Sequence, residues 1–216
     1  MTPRRRDEAS VIRAAAAALG LVVDEAVLAR LLLYSATLAT WNQRLRLTGD
    51  PDPVRVAEQH IADSLAVVAL LPGEGPVVDV GSGQGFPGII LGCVRPDLEV
   101  VLIESRRRRA NFLRDAIRRI PLPRACVLEE RAENIGAPLA GYVRLVVARA
   151  LRLDVLLTLA RPLLAPDGQT IAMLSEHGRR EAPRVARRSG FRISDERRYT
   201  LLDGSSRALV VFVAEV

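Results

Sequence analysis

Three glycines at alternate positions, Gly81, Gly83 and Gly85, follow directly on the apolar run Val77-Val78-Asp79-Val80. Such a loop turns tightly and brings backbone up to a ligand with no Cβ in the way. Pro87 suits the first turn of a helix that would come next. A second acid, Glu104, ends the following apolar run, Val100-Val101-Leu102-Ile103. In a doubly wound sheet the ends of strands one and two lie side by side, which lets Glu104 accept hydrogen bonds from two ribose hydroxyls. A nucleoside-bearing ligand is what this pair would hold.

The choice of ligand turns on charge. A nicotinamide or flavin site prefers GxGxxG, and here the third glycine position is Phe86. The pattern is GxGxG, with Asp79 two residues ahead of it, a carboxylate beside the loop that favours a cationic amino-acid group. S-adenosylmethionine carries an ammonium, a sulfonium and a ribose, and no pyrophosphate that would need a helix N-terminus. It is the expected cofactor, held by Asp79, Gly81, Gly83, Gly85 and Glu104. On the glycines alone, a plain turn stays open as the alternative.

The elements around the loop are readable from caps and periodicity. Ala-rich residues 11–19 predict a helix closed by Gly20, and Asp24 caps a second helix whose Leu28, Leu31, Leu38, Trp41 and Leu45 recur at three-, four- and seven-residue steps. Asp52-Pro53 reads as N-cap and N1 of a further helix through about Leu71. Pro72-Gly73-Glu74-Gly75-Pro76 then separates a helical extension, residues 1–75, from a cofactor domain, residues 76–216. In the second part strands are expected near 77–81, 99–104, 125–129, 143–148, 169–174, 191–199 and 207–215, with helices in most gaps. That alternation predicts an α/β, Rossmann-like, seven-stranded and mostly parallel sheet. Asp203-Gly204 leaves no room for a helix, so the last two strands should form a hairpin with an antiparallel last strand.

Size and composition fit one globular unit: 216 residues, 49% hydrophobic, mean hydropathy +0.15. No apolar run reaches the ~18 residues of a membrane span, and Arg4-Arg5-Arg6 leads into Asp7-Glu8 rather than a signal-peptide core, so a cytoplasmic protein with no membrane contact is expected. Cys93, Cys126, His60 and His177 show no CxxC or HxxxH spacing, and no metal is expected. The net charge of +6 and pI of about 10.5 would attract a polyanion. All 31 basic residues are Arg, so clustering is the better evidence. The densest cluster is Arg106 to Arg109 with Arg114, Arg118 and Arg119. On a helix, Ala110, Leu113, Ile117 and Ile120 make one face while Arg107, Arg114 and Arg118 share another, with Arg108 beside them, a stripe for solvent or for RNA phosphates.

Several blocks resemble one family within the class I S-adenosylmethionine-dependent methyltransferases, the bacterial 16S ribosomal RNA guanine-N7 methyltransferases or glucose-inhibited division protein B family. They read Trp41-Asn42 with Leu47-Thr48, His60-Ile61-Ala62-Asp63-Ser64, Asp79 through Gly88, Glu104-Ser105 with Arg108-Arg109 and Phe112-Leu113, Arg131-Ala132-Glu133, and Ala148-Arg149-Ala150. The resemblance implies methyl transfer to a guanine of 16S ribosomal RNA, alone or in the small subunit. It also implies that Gly81, Phe86, Ala132, Glu133 and Arg149 contact the cofactor. The chain departs from the family pattern twice. A lysine before glycine after strand five is replaced in Leu174-Ser175-Glu176-His177-Gly178, and a histidine near the last strand corresponds to Ala208. His177, Arg179 and Arg180 are the nearest substitutes for holding RNA.

Guanine N7 has a free lone pair and no proton, so transfer to it needs orientation more than a base. No Pro-Cys pair for attack on a pyrimidine and no Asn/Asp-Pro-Pro-aromatic motif for an exocyclic amine occurs in the chain. Candidate catalytic groups are Arg149, at the end of the fourth apolar run, Asp63, a carboxylate that would balance the cationic product base, and His60, for which a packing role is the alternative. A small-molecule methyltransferase and a non-catalytic binder of cofactor or RNA remain open beside this reading, and a monomer is expected.

Overall fold

A computed structural model describes residues 7–49, 52–135 and 139–215; Arg4-Arg5-Arg6 lies outside the described residues. Capping aspartates open the first helices as their sequence requires. Asp7 accepts the Ser10 N–H at 2.7 Å to start α1 (Glu8–Ala18), Asp24 accepts the Val27 N–H at 2.7 Å to start α2 (Glu25–Leu45), and Asp52 accepts the Val54 N–H at 3.0 Å to start α3 (Pro53–Val56).

The helix expected to run from Pro53 to about Leu71 is four short pieces instead. After α3 comes a π turn over Ala57–Ile61, then α4 (Ala62–Leu65), then a 3₁₀ turn over Ala66–Leu70. The Ser64 hydroxyl donates back to the His60 carbonyl at 2.7 Å, competing with the regular ladder. Burial decides the rest, because Ile61 and Leu65 fill one core cluster while Ala66 and Val67 fill another. Local periodicity gives no sign of a π turn, since it arises from packing.

The sheet has seven strands: β1 (Val77–Val80), β2 (Val100–Ile103), β3 (Ala125–Leu128), β4 (Val143–Arg149), β5 (Leu164–Ser175), β6 (Phe191–Thr200) and β7 (Ser206–Ala214). Their order is β3-β2-β1-β4-β5-β7-β6, parallel from β3 through β5. β7 is inserted antiparallel between β5 and β6, so the expected hairpin and the antiparallel last strand are both present. Between the strands lie α5 (Gly88–Val94), α6 (Arg107–Arg119), α7 (Leu153–Ala160) and α8 (Glu176–Arg188). No described helix is long and apolar enough to cross a membrane.

The helices cover both faces of the sheet. On one face Leu31 and Tyr34 of α2 share a buried cluster with Phe86, Ile89, Leu102 and Phe112, so the first helices pack on the strands directly. On the other, Leu156 and Leu157 of α7 and Ala182 of α8 close over Val78, Val146 and Phe212. The tightest point lies where α5 begins. A Cβ on Gly88 would overlap Leu102 Cδ2 and lie 2.7 Å from Asp79 Oδ2. Gly88→Ala therefore destabilises the fold by about 2 kcal/mol, the cost of overpacking a filled core. Urea denaturation checks it, and an unchanged midpoint contradicts it.

Candidate active site

β1 and β4 are neighbours whose connections leave in opposite directions, which opens a crevice at their carboxyl ends. The glycine loop forms its floor, with Gly81, Gly83 and Gly85 at φ of +72°, +54° and +91°, a conformation that favours glycine. A Cβ on Gly81 would meet nothing within 4 Å, so this part of the loop faces open space. The cleft beside it has a volume of about 780 Å³ and is lined by Gly81, Glu104, Ala132, Glu133, Leu151 and Val155, among others. Glu104 is buried there, one oxygen accepting the Gly83 N–H at 3.0 Å and the other the Arg106 N–H at 2.7 Å. A carboxylate has about four acceptor positions, so two remain for hydroxyls. The apolar wall of Ala132, Leu151 and Val155 suits a base ring.

Asp79 is placed differently from the expectation of a carboxylate beside the loop. It is fully buried beneath it, accepting the Gly88 N–H at 3.0 Å through Oδ2, while Oδ1 has no hydrogen-bond partner among the described residues. It anchors the start of α5. Burial lifts its carboxyl to about 7, against the Gly88 hydrogen bond that lowers it, with Glu104 raising it further.

The three candidate catalytic residues converge. Arg149, the last residue of β4, lies with Nη2 2.5 Å from His60 Nδ1 and Nε 3.4 Å from Asp63 Oδ2. Its guanidinium sits 5.5 Å from the centre of the Phe86 ring, which also meets the His60 ring at 5.2 Å and the Tyr34 ring edge-on at 5.3 Å. The π turn and α4 present both His60 and Asp63 to the same arginine, and Ala150 follows at φ +60°, a costly conformation for alanine that sets how β4 leaves the sheet. Asp63 is only 3% exposed, and burial raises its carboxyl while Arg149 and then Tyr199 lower it. Both of its oxygens are engaged, Oδ1 by the Tyr199 hydroxyl at 2.5 Å. The carboxylate is thus the ion-pair partner of Arg149, buried against it.

Two tyrosines in this arrangement carry no sequence signal: Tyr199, and Tyr34, whose hydroxyl donates to the Gln84 carbonyl of the loop at 2.6 Å. They act from 136 and 50 residues away.

The RNA-binding candidates are dispersed. Arg107 and Arg108 are exposed at the start of α6. Arg114 pairs with Glu129 at 2.6 Å and Arg118 with Asp115 at 2.6 Å, so much of the stripe is an ion-paired helix face. Both also line a groove of about 700 Å³ between α2 and α6, beside Trp41 and Arg44. His177 is exposed on α8, whereas Arg179 is clamped between Glu176 at 2.7 Å and Glu196 at 3.2 Å. Ser175 caps α8, its hydroxyl facing the Gly178 N–H at 3.4 Å. Ala208 is buried opposite Leu174 in the β5–β7 ladder.

Fold and site together define a class I S-adenosylmethionine-dependent methyltransferase. Among solved structures, an S-adenosylmethionine-dependent methyltransferase from Aquifex aeolicus superposes with a TM-score of 0.59 at 16% identity, covering 76% of this chain and 94% of that one. The family model for rRNA small subunit methyltransferase G matches residues 27–210, and the chain belongs to that family. Ribosomal RNA small subunit methyltransferase G of Sorangium cellulosum (strain So ce56) is 38% identical over 170 residues, 76% of this chain and 71% of that protein. Its counterpart in Xanthomonas axonopodis pv. citri (strain 306) is 41% identical over 152 residues, 70% of each chain.

The buried aspartate gives a signed pH dependence. Asp79 titrates near 7 when folded against an ordinary 3.8, so between those values the folded state binds more protons, and stability falls as pH rises through the window and levels above it. Asp79→Asn removes that slope. The variant gains on the parent by roughly 4 kcal/mol between about pH 4 and pH 8 in urea melts. A constant difference between the two would contradict the assignment.

Proposed function

We propose that the chain transfers the methyl group of S-adenosylmethionine to N7 of a guanine in 16S ribosomal RNA. The observation that carries this reading is the state of Asp63. It is the carboxylate set against Arg149 at the end of β4, and, 3% exposed and tied to Tyr199 and Arg149 from inside the protein, it is placed to hold the arginine and not to meet a substrate proton. N7 attacks through a lone pair and asks for no general base.

Bound S-adenosylmethionine supplies an electrophilic methyl on a sulfonium. In this reading the two free acceptor positions of Glu104 take the ribose hydroxyls, Ala132 and Glu133 flank the base ring, and Gly81, Gly83, Gly85 and Phe86 shape the loop under the rest. Arg149, held by Asp63 and His60, borders the reacting end and orients what lies there. Residues 76–216 hold the cofactor, and the helical extension, 1–75, completes the site by supplying His60 and Asp63. Arg107, Arg108, Arg114 and Arg118 on α6 and His177 and Arg179 on α8 are the groups that meet RNA in this reading, at separate points of the surface. The protein acts as a monomer in the cytoplasm on ribosomal RNA or the small subunit.

Labelled S-adenosylmethionine incubated with small subunits from a strain lacking the modification, with naked 16S RNA and with a metabolite extract tests the reading. Label should enter 16S RNA at guanine N7; label in the extract alone contradicts it and favours a small-molecule substrate. If the arginines hold about four phosphates, RNA affinity falls some tens of fold between about 50 and 200 mM salt. A flat profile removes them from the interface.

A further inference from the structure

We propose that Tyr199 is a positioning residue for methyl transfer: through Asp63, its hydroxyl sets the orientation of Arg149 beside the glycine loop. The proposal rests on the methyltransfer reading above and adds to it a residue from the far edge of the sheet. β6 is the edge strand, separated from β4 by β7 and β5, and near its end Tyr199 pairs with Arg207 of β7. Its ring reaches the helical segment that lies over the strand ends, and the hydroxyl donates to Asp63 Oδ1 at 2.5 Å. That distance belongs to the short, charge-assisted class of hydrogen bond to a carboxylate.

The link continues without interruption. Asp63 Oδ2 faces Arg149 Nε at 3.4 Å, and Arg149 Nη2 meets His60 Nδ1 at 2.5 Å. The same guanidinium lies over Phe86, which follows the last glycine of the loop. Arg149 Nη1 is buried with no hydrogen-bond partner, so among the described residues Asp63 and His60 are the groups that fix the guanidinium by hydrogen bond or ion pair. Removing the Tyr199 hydroxyl leaves a buried carboxylate oxygen unsatisfied, a strongly disfavoured state. Asp63 relieves it by turning from Arg149 or by taking up a proton.

The charged groups that face Asp63 are Arg149 from β4, Arg207 from β7 and Asp203 from the β6–β7 turn, with Tyr199 as donor and His60 one turn earlier. Burial raises its carboxyl, while Arg149, Tyr199 and Arg207 lower it. Loss of the hydroxyl therefore raises it further. Protonated Asp63 no longer holds Arg149 by charge, so activity falls on the acid side of the pH profile.

The test compares Tyr199→Phe with wild type. The variant should lower kcat roughly tenfold while KM for the cofactor stays within about twofold, and it should move the acid limb of kcat to higher pH. Site-specific 3-fluorotyrosine at position 199 keeps the packing and strengthens the donor, and should move that limb to lower pH. In an Asp63→Asn background, Tyr199→Phe should cost nothing more. An unchanged kcat and limb, an unmoved limb with 3-fluorotyrosine, or the same loss in the Asp63→Asn background overturns the proposal. If wild-type protein binds S-adenosylhomocysteine but labels no RNA, the methylation reading fails by itself. The linkage is then judged from urea midpoints of the two single variants and the double variant, where non-additive shifts support it and additive shifts overturn it.

Discussion

One carboxylate ties the two halves of the cofactor cleft together. Glu104 directly follows β2, yet its oxygens receive N–H groups from the loop after β1 and from the turn into α6. Those loops leave adjacent parallel strands, and the ladder reaches only as far as the Gly81 and Ser82 N–H groups, which donate to the Ile103 carbonyl at 2.9 and 3.0 Å. Without the side chain, the Gly83 and Arg106 N–H groups would each need water or a ligand. The parallel register that pairs Val80 with Ile103 brings Glu104 level with the loop, so the clasp follows from strand pairing. The cleft is shaped by the same carboxylate that would hold the sugar.

A second constraint sits across β1, where four segments distant in sequence meet around Arg149. A buried ion pair adds little net stability, because desolvation cancels much of the attraction. This one is nonetheless elaborated, with a π turn, a positive φ at Ala150 and a tyrosine brought from the sheet edge. Such costs concentrate where function demands a fixed geometry. The arrangement is that of an orienting group, which suits a nucleophile that arrives already deprotonated.

Much of this was legible in the chain. The glycine spacing, the acid after the second apolar run and the caps at Asp24 and Asp52 are local signals, and each does locally what its chemistry requires. The hairpin at Asp203-Gly204 was equally plain. What escaped was set by tertiary packing. Asp79 was expected beside a ligand and lies under the loop because Gly88 leaves room for its carboxylate and supplies an N–H. The helix after Asp52 breaks because its residues serve separate cores. The α6 arginines look like a free cationic stripe until Glu129 and Asp115, supplied by the fold, are seen to pair with two of them. Tyr199 had no neighbour in sequence to betray it.

Glu104 closes a cleft whose shape and acceptor groups suit S-adenosylmethionine. Isothermal titration of S-adenosylhomocysteine into wild-type protein and Glu104→Ala tests it most directly. Saturable one-to-one binding to wild type is expected, weakened at least about a hundredfold in the variant by loss of two charge-assisted hydrogen bonds. Binding that is absent from wild type, or equal in the two proteins, would contradict it.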